Sequence, residues 1–242
     1  MKIVLNAATS IDGKIATVNG DTKISSALDL KRVHGLRRKA DVILVGISTV
    51  INDDPLLTIR YGMNKKGTKN PIRIIIDSKA RIPIHSKIVK TANQIETRLV
   101  VTSKAPFKNL KKLEERGLKI IVLDQITAKE EEGGEKGGGD NREDNGEKVD
   151  LKKLFDQLEN EGISNVLVEG GGEINWSIIK NNLFDEIIVT ISPLIIGGKK
   201  AISLVGGEGY KSINESVKIK LSRVQKKSNG EIILYYKNIK TD

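Results

Sequence analysis

The stretch "ISNVLVEGGGEINWSII" at 163–179 joins two patterns. Up to Val168 it is apolar and rich in β-branched residues, as expected of a strand buried on both faces. Beyond Glu173, apolar residues recur at helical spacing. Glu169 and three consecutive glycines stand between the two. Glycine in regular structure costs about 0.5–1 kcal/mol relative to alanine, so three of them at a strand-to-helix turn need a reason. Two readings compete. Either an anion comes against the backbone, drawn by free N–H groups and the positive end of the helix dipole, or the glycines only close the turn.

Working outward, runs of the same strand type recur along the chain: "KIVLNAA", "DVILVGI", "IRIIID", "TRLVVTS", "LKIIVL", "NVLVEG", "EIIVTISP", "VKIKLSRVQ" and "EIILYYK". Most are continuous rather than alternating, which marks a parallel sheet covered on both sides. Helical patterns separate many of them: "SALDLKRVHGLRRKA", "FKNLKKLEERG", "LKKLFDQLENEG" and "EINWSIIKNNL". This alternation predicts an α/β fold. Asn229-Gly230 between the last two strand runs signals a hairpin. The expected sheet is therefore mixed, mostly parallel, flanked by helices, with an antiparallel C-terminal hairpin. The 129–148 segment contains no apolar residue and is charged and glycine-rich. It reads as a mobile surface insertion in an otherwise single domain spanning 1–242.

The 242 residues carry 41 basic and 31 acidic side chains, a net charge of +10. That balance favours anionic partners. Aromatics are only 3% of the chain, too few for stacking platforms on single strands. No nucleic-acid partner is expected, although a basic nucleic-acid-binding protein is the rival reading from another class. There are no cysteines, which removes disulfides, thiolate catalysis and zinc–thiolate sites. Neither the start of the chain nor any apolar run is long enough for a signal core or a membrane span. A cytoplasmic protein is expected.

Several positions invite chemistry. Arg37 is four residues beyond Val33 and seven beyond Leu30, so it shares their helix face. An arginine aimed inward needs an anion, either a structural carboxylate or a ligand phosphate. In "GISTVINDDPLLTIR" a strand ends at Gly46 and a loop follows, where ligands of open α/β sheets bind. The pair Asp53–Asp54 lacks a third ligand at metal spacing, so no metal is expected. Asp77 ends a strand where a carboxylate can hold a ribose hydroxyl, while Lys79 and Arg81 suit a 2′-phosphate. His34 and His85 show no partner pattern and read as structural or surface residues.

Taken in order, "NAATSIDGKIA", "GISTVINDDPLLTIR", "IRIIIDSKARIP", "VLVEGGGEINW" and "DEIIVTISPLIIGG" resemble the reductase family of riboflavin biosynthesis. In bacteria this reductase is the C-terminal half of a bifunctional deaminase/reductase; in archaea and fungi it stands alone. The likeness spans nearly the whole chain outside 129–148. A fused deaminase would need the H-x-E and P-C-x-x-C zinc signature, and the lack of cysteine fits the stand-alone form.

The resemblance implies a dihydrofolate-reductase-like fold and a homodimer. It also implies NADPH-dependent reduction of 2,5-diamino-6-ribosylamino-4(3H)-pyrimidinone 5′-phosphate to the ribitylamino compound, with NADH a possible second donor. It places Ala7, Thr49, Asp53, Ser78, Arg81, Gly170, Gly171 and Gly172 on the cofactor. It places Arg37, Leu57, Arg60 and Glu169 on the phosphorylated pyrimidine. Lys14 and Glu169 become the candidates for proton movement, with Asp12 a third. The rivals within catalysis and binding are another reductase of this fold and a phosphate-binding α/β protein without turnover.

Overall fold

The computed structural model describes residues 1–60, 69–124 and 148–239. The expected insertion lies outside the described residues, except for Lys148.

All nine strand runs form strands of one sheet. They are β1 (Lys2–Thr9), β3 (Val42–Gly46), β4 (Ile72–Ile76), β5 (Thr97–Val101), β6 (Lys119–Val122), β7 (Asn165–Val168), β8 (Glu186–Ile191), β10 (Ile219–Lys226) and β11 (Ile232–Asn238). The order across the sheet is β10-β11-β8-β1-β7-β3-β4-β5-β6. From β8 to β6 every pairing is parallel. The hairpin adds β11 and β10 antiparallel. Gly230 takes a positive φ of 88° in its turn, which glycine adopts freely. A separate ribbon pairs β2 (Lys14–Ala16) with β9 (Ile202–Ser203). Neither ribbon strand was expected.

The four expected helices form as α1 (Ala27–Arg37), α4 (Phe107–Glu114), α5 (Leu151–Asn160) and α6 (Gly172–Lys180). Two more were not expected: α2 (Ile47–Asp53) and α3 (Lys87–Lys90). The stretch after Gly46 is thus a short helix and not a loop. It is rich in β-branched residues, poor helix formers on their own, and it holds because Ile47 and Val50 are buried.

Strand alternation sends two apolar sets to the two faces of the sheet. Leu44, Ile74, Val100 and Val168 pack against Leu154, Phe155, Leu158 and Ile178 of α5 and α6. Ile43, Val45, Ile75 and Leu99 pack against Val50, Ile88 and Leu113 of α2, α3 and α4. Arg73 of β4 is fully buried without a carboxylate partner among the described residues. Its guanidinium instead donates to the carbonyls of Leu56, Ile88 and Ile95 and to the hydroxyls of Thr91 and Thr97. It ties the 54–60 segment to the sheet, and burial pulls its pKa down to about 10.

Helix α1 covers β1 and β8 through polar contacts. Ser26 caps it, its hydroxyl accepting from the Asp29 N–H at 3.2 Å. The reciprocal half of a capping box is absent, because the Ser26 N–H donates to Glu231. Asp29 accepts from Arg32, Ser25 and Thr190 instead. Leu30, expected on the buried stripe, is 38% exposed. The buried face of α1 is Asp29, Val33, His34 and Arg37.

Candidate active site

The C-terminal ends of β1, β3, β4 and β7 converge on the glycine turn. Gly170 has φ 86°, a left-handed conformation. Its carbonyl accepts from the Gly46 N–H at 2.7 Å, locking the ends of β3 and β7 together. A Cβ on Gly46 would lie 2.7 Å from Ile174 Cγ1. A Cβ on Gly172 would lie 2.6 Å from the Ser203 carbonyl oxygen, and one on Gly171 would meet only Thr49 Oγ1, at 3.5 Å. No side chain caps the N-terminus of α6.

Above this turn lies a cleft of about 500 Å³, lined by Thr22, Ser48, Thr49, Asn52, Asp53, Gly171, Gly172, Glu173 and Ser203 among others. A second cavity, about 270 Å³, carries Ser78, Arg81 and Trp176. The two share Gly46, Ser48, Glu173, Ile174 and Gly207, so they form one elongated groove. The expected cofactor residues Thr49, Asp53, Gly171, Gly172, Ser78 and Arg81 all line it. Gly170 lies beneath it, and Ala7 lines neither cavity. A long groove over a bare helix N-terminus, with an arginine at its far end, fits an extended ligand carrying phosphates.

The two carboxylates at 53–54 diverge. Asp53 accepts from the Thr22 hydroxyl at 2.5 Å, and Asp54 accepts from the Lys87 N–H at 2.7 Å. Among the described residues, no group of three His, Cys, Asp or Glu could hold a metal ion. Asp77 is fully buried. Its carboxylate accepts from the Ile82 N–H at 2.8 Å and from Arg81 Nε at 3.4 Å. It holds its own turn, while the Arg81 side chain, 56% exposed, lines the groove there.

The expected substrate residues form a second cluster, beside the groove. Arg37 Nε and Nη2 donate to the two oxygens of Glu169 at 2.7 and 2.6 Å. Both side chains are about nine-tenths buried, at 10% and 11% exposure. Burial alone would lower the Arg37 pKa, but the Glu169 charge and hydrogen bonds hold it above its ordinary value. Of the two anions considered for Arg37, the carboxylate is the one in place. Arg37 Nη1 also donates to the Thr58 carbonyl at 3.0 Å, drawing the 57–60 segment against α1. Leu57 in that segment is 1% exposed with φ 50°. At that burial neither its side chain nor its backbone is open to a ligand. Arg60 is exposed.

His34 was not expected to matter to the site. It is 2% exposed, and its Nδ1 accepts from the Arg60 N–H at 2.9 Å. Burial, with Arg37 and Arg60 nearby, pulls its pKa from 6.5 to about 4. The folded state therefore binds the proton less readily than the unfolded one. The sign follows: stability is full above pH 6.5 and is lost as pH falls from 6.5 toward 4. The limit for a shift of that size is roughly 3 kcal/mol. Protonating Nδ1 also removes the acceptor for the Arg60 N–H. Melting temperature should decline across this window in the wild type, and the decline should flatten in His34→Gln. His85, by contrast, is exposed.

The proton candidates separate. Asp12 accepts from the Ile196 N–H, the Ser10 hydroxyl and the Gly197 N–H. These bonds hold its carboxyl down to about 2. It staples two loops as an anion and has no proton to give near neutral pH. Lys14 Nζ donates to Ser203 Oγ at 3.1 Å at the edge of the cleft. The 202–207 wall of the cleft escaped the sequence reading; its only signal is the glycine density of "LVGGEG".

Comparison with known proteins accords with this geometry. Residues 1–233 match the family described as RibD C-terminal domain. The chain is 36% identical over 221 residues to 2,5-diamino-6-ribosylamino-4(3H)-pyrimidinone 5′-phosphate reductase of Methanothermobacter thermautotrophicus, covering 91% of each. Its fold is similar to that of Acinetobacter baumannii RibD, with TM-score 0.77 and 21% identity over 99% of this chain and 58% of that one. It is also similar to dihydrofolate reductase from Enterococcus faecalis, with TM-score 0.51 and 11% identity over 99% of this chain and 97% of that one. The chain belongs to the RibD C-terminal domain family, and its fold is dihydrofolate-reductase-like.

Proposed function

We propose that this chain, as a single domain, uses NADPH to reduce the ribosylamino side chain of 2,5-diamino-6-ribosylamino-4(3H)-pyrimidinone 5′-phosphate. The reading is carried by one juxtaposition. An elongated, glycine-floored groove passes beside a buried Arg37–Glu169 pair that orders the Arg60 segment.

The pieces divide the work. When bound, the nicotinamide supplies a hydride for C1′ of the sugar. The chain must first open the sugar ring. As the C1′–O4′ bond breaks, the exocyclic nitrogen forms the C=N bond and O4′ takes a proton. Lys14 is the donor. Glu169, its orientation fixed by Arg37, accepts hydrogen bonds from the substrate and favours the cationic imine. Arg60 takes the 5′-phosphate, and the buried Leu57 anchors the segment that carries it. Thr49, Asp53 and the glycine turn hold the cofactor against the sugar, and Ala7 lies at the end of β1, outside both cavities. The test is an assay of NADPH oxidation with this substrate and with dihydrofolate. Oxidation with dihydrofolate alone, or with neither, overturns the reading.

The preference for NADPH over NADH rests on the 77–81 turn. Asp77 is sealed inside it, so its carboxylate is not available to favour a bare ribose. Arg81 and Ser78 remain for a 2′-phosphate. Arg81→Ala should lower kcat/KM for NADPH by about tenfold to a hundredfold and leave NADH nearly unchanged. Equal losses with both donors would remove Arg81 from that contact.

The homodimer has a candidate face. Registry places Ile187, Val189 and Ile191 of β8 beside Ile232, Leu234 and Tyr236 of β11. Leu221 and Val224 of β10 continue the row, 47% and 52% exposed. Val189 is buried and Ile187, Ile191, Leu234 and Tyr236 are half-buried, so the exposed apolar part of the row is Ile232, Leu221 and Val224, and exposed apolar residues grouped in this way mark an interface. Light scattering should give twice the 26.6 kDa of one chain, and Leu221→Asp with Val224→Asp should give a single copy.

A further inference from the structure

Lys14 does not line the cleft; Ser203 does. The two are cross-strand partners in the β2–β9 ribbon, and Lys14 Nζ donates to Ser203 Oγ at 3.1 Å. A serine hydroxyl can accept and donate at once. Among the described residues, the Ser203 hydroxyl accepts from Lys14 and its own hydrogen has no acceptor. The hydroxyl is therefore charged from behind by an ammonium and open in front to the cleft.

Its position is fixed by the surrounding backbone. The Ser203 carbonyl lies against Gly172, where a Cβ would come within 2.6 Å. On the other side, the Leu204 N–H donates to the Gly13 carbonyl at 2.9 Å, and Asn175 Nδ2 donates to the Leu204 carbonyl at 2.8 Å. The Gly206 N–H donates to the Gly172 carbonyl at 3.0 Å. Ser203 is thus held at the start of α6, beside the turn that carries Gly171, and only its hydroxyl is free to rotate.

We propose that Ser203 relays the proton of Lys14 to the sugar ring oxygen, an inference that rests on the reductase reading above. As C1′–O4′ breaks, the Ser203 O–H bond breaks toward O4′. At the same time Ser203 Oγ takes a proton from Lys14 Nζ. Serine ends as it began, Lys14 ends as a neutral amine, and the substrate gains one proton as a C=N cation. Lys14 recovers its proton from solvent. The hydroxyl also keeps the long lysine side chain from being needed inside the cleft, where its ammonium would compete with the cofactor for room.

The test compares single-turnover hydride transfer in Ser203→Ala, Ser203→Thr, Lys14→Met and the double variant Ser203→Ala/Lys14→Met. Ser203→Ala should slow transfer about a hundredfold, with cofactor and substrate dissociation constants within about twofold of wild type. Ser203→Thr, which keeps a hydroxyl, should recover most of the rate. The double variant should be no slower than Lys14→Met alone, because groups acting in series do not add. A Ser203→Ala enzyme at wild-type speed, or losses that multiply in the double variant, overturns the relay. A slow Lys14→Met beside a normal Ser203→Ala sinks the relay alone. A normal Lys14→Met sinks the assignment of Lys14 as donor, and the relay with it.

Discussion

Glu169→Gln is expected to slow turnover by about 10²–10⁴-fold while NADPH binding persists. The geometry makes two separate demands on this carboxylate. Among the described residues it is the sole acidic partner of Arg37, taking Nε and Nη2 at 2.7 and 2.6 Å. It also stands at the head of the glycine turn, beside the groove. A glutamine keeps the shape but turns an NH2 donor toward a guanidinium that has only donors. Breaking one side of a buried ion pair costs about 3–5 kcal/mol, so the variant should also melt earlier. A second variant separates the two effects. Arg37→Met/Glu169→Met removes both charges of the pair, and apolar replacement of such pairs is often neutral or stabilising. It should recover the melting temperature and remain slow. Recovery of both stability and turnover would make Glu169 a purely structural partner. Wild-type turnover in Glu169→Gln would do the same more directly.

That pair also shows where sequence reading stops. Arg37 on the buried face was legible, because it lies four residues beyond Val33. Its partner was not, since Glu169 is 132 positions away and no local pattern couples them. The nine strands were legible for a related reason. Most are continuous apolar runs because helices cover both faces, and that burial writes itself into composition; the exposed edge strand β10 is the exception. Helix α2 was hidden, because Ile47, Thr49, Val50 and Ile51 speak for a strand. It is tertiary burial of Ile47 and Val50 that overrides them. Strands β2 and β9, with 3 and 2 residues, are too short to show a period. Their loss mattered most for the site, because this ribbon carries Lys14 and brings Ser203 to the cleft. Asp77 illustrates a different failure. Its type and place at the end of β4 suited a ribose contact, but the carboxylate turns inward to its own backbone. Composition at a strand end does not reveal which way a side chain faces.

The three glycines of the opening turn are expected to respond differently to a methyl group, and the difference separates folding from binding. Gly172→Ala should be the more damaging to stability. Its Cβ would meet backbone on both sides, the Ser203 oxygen at 2.6 Å and the Gly206 nitrogen at 3.2 Å. Backbone cannot rotate away, so β9 must shift, and overpacking of this sort costs about 1–3 kcal/mol. Gly170→Ala is strained for another reason, its φ of 86°. Gly171 has φ −77° and only Thr49 Oγ1 within reach of a Cβ, at an ordinary 3.5 Å. Among the described residues, nothing packed near that Cβ explains a glycine there. The proposed cofactor would explain it, by coming close to the main chain. Gly171→Ala should accordingly melt closer to wild type than Gly172→Ala, yet lose at least about tenfold in NADPH affinity, or 1.4 kcal/mol. Titration of cofactor fluorescence against a melting curve reads both quantities on one sample. If Gly171→Ala binds NADPH as the wild type does, the cofactor phosphates pass elsewhere. The loop-closing account of the glycines, open from the sequence alone, would then be the right one.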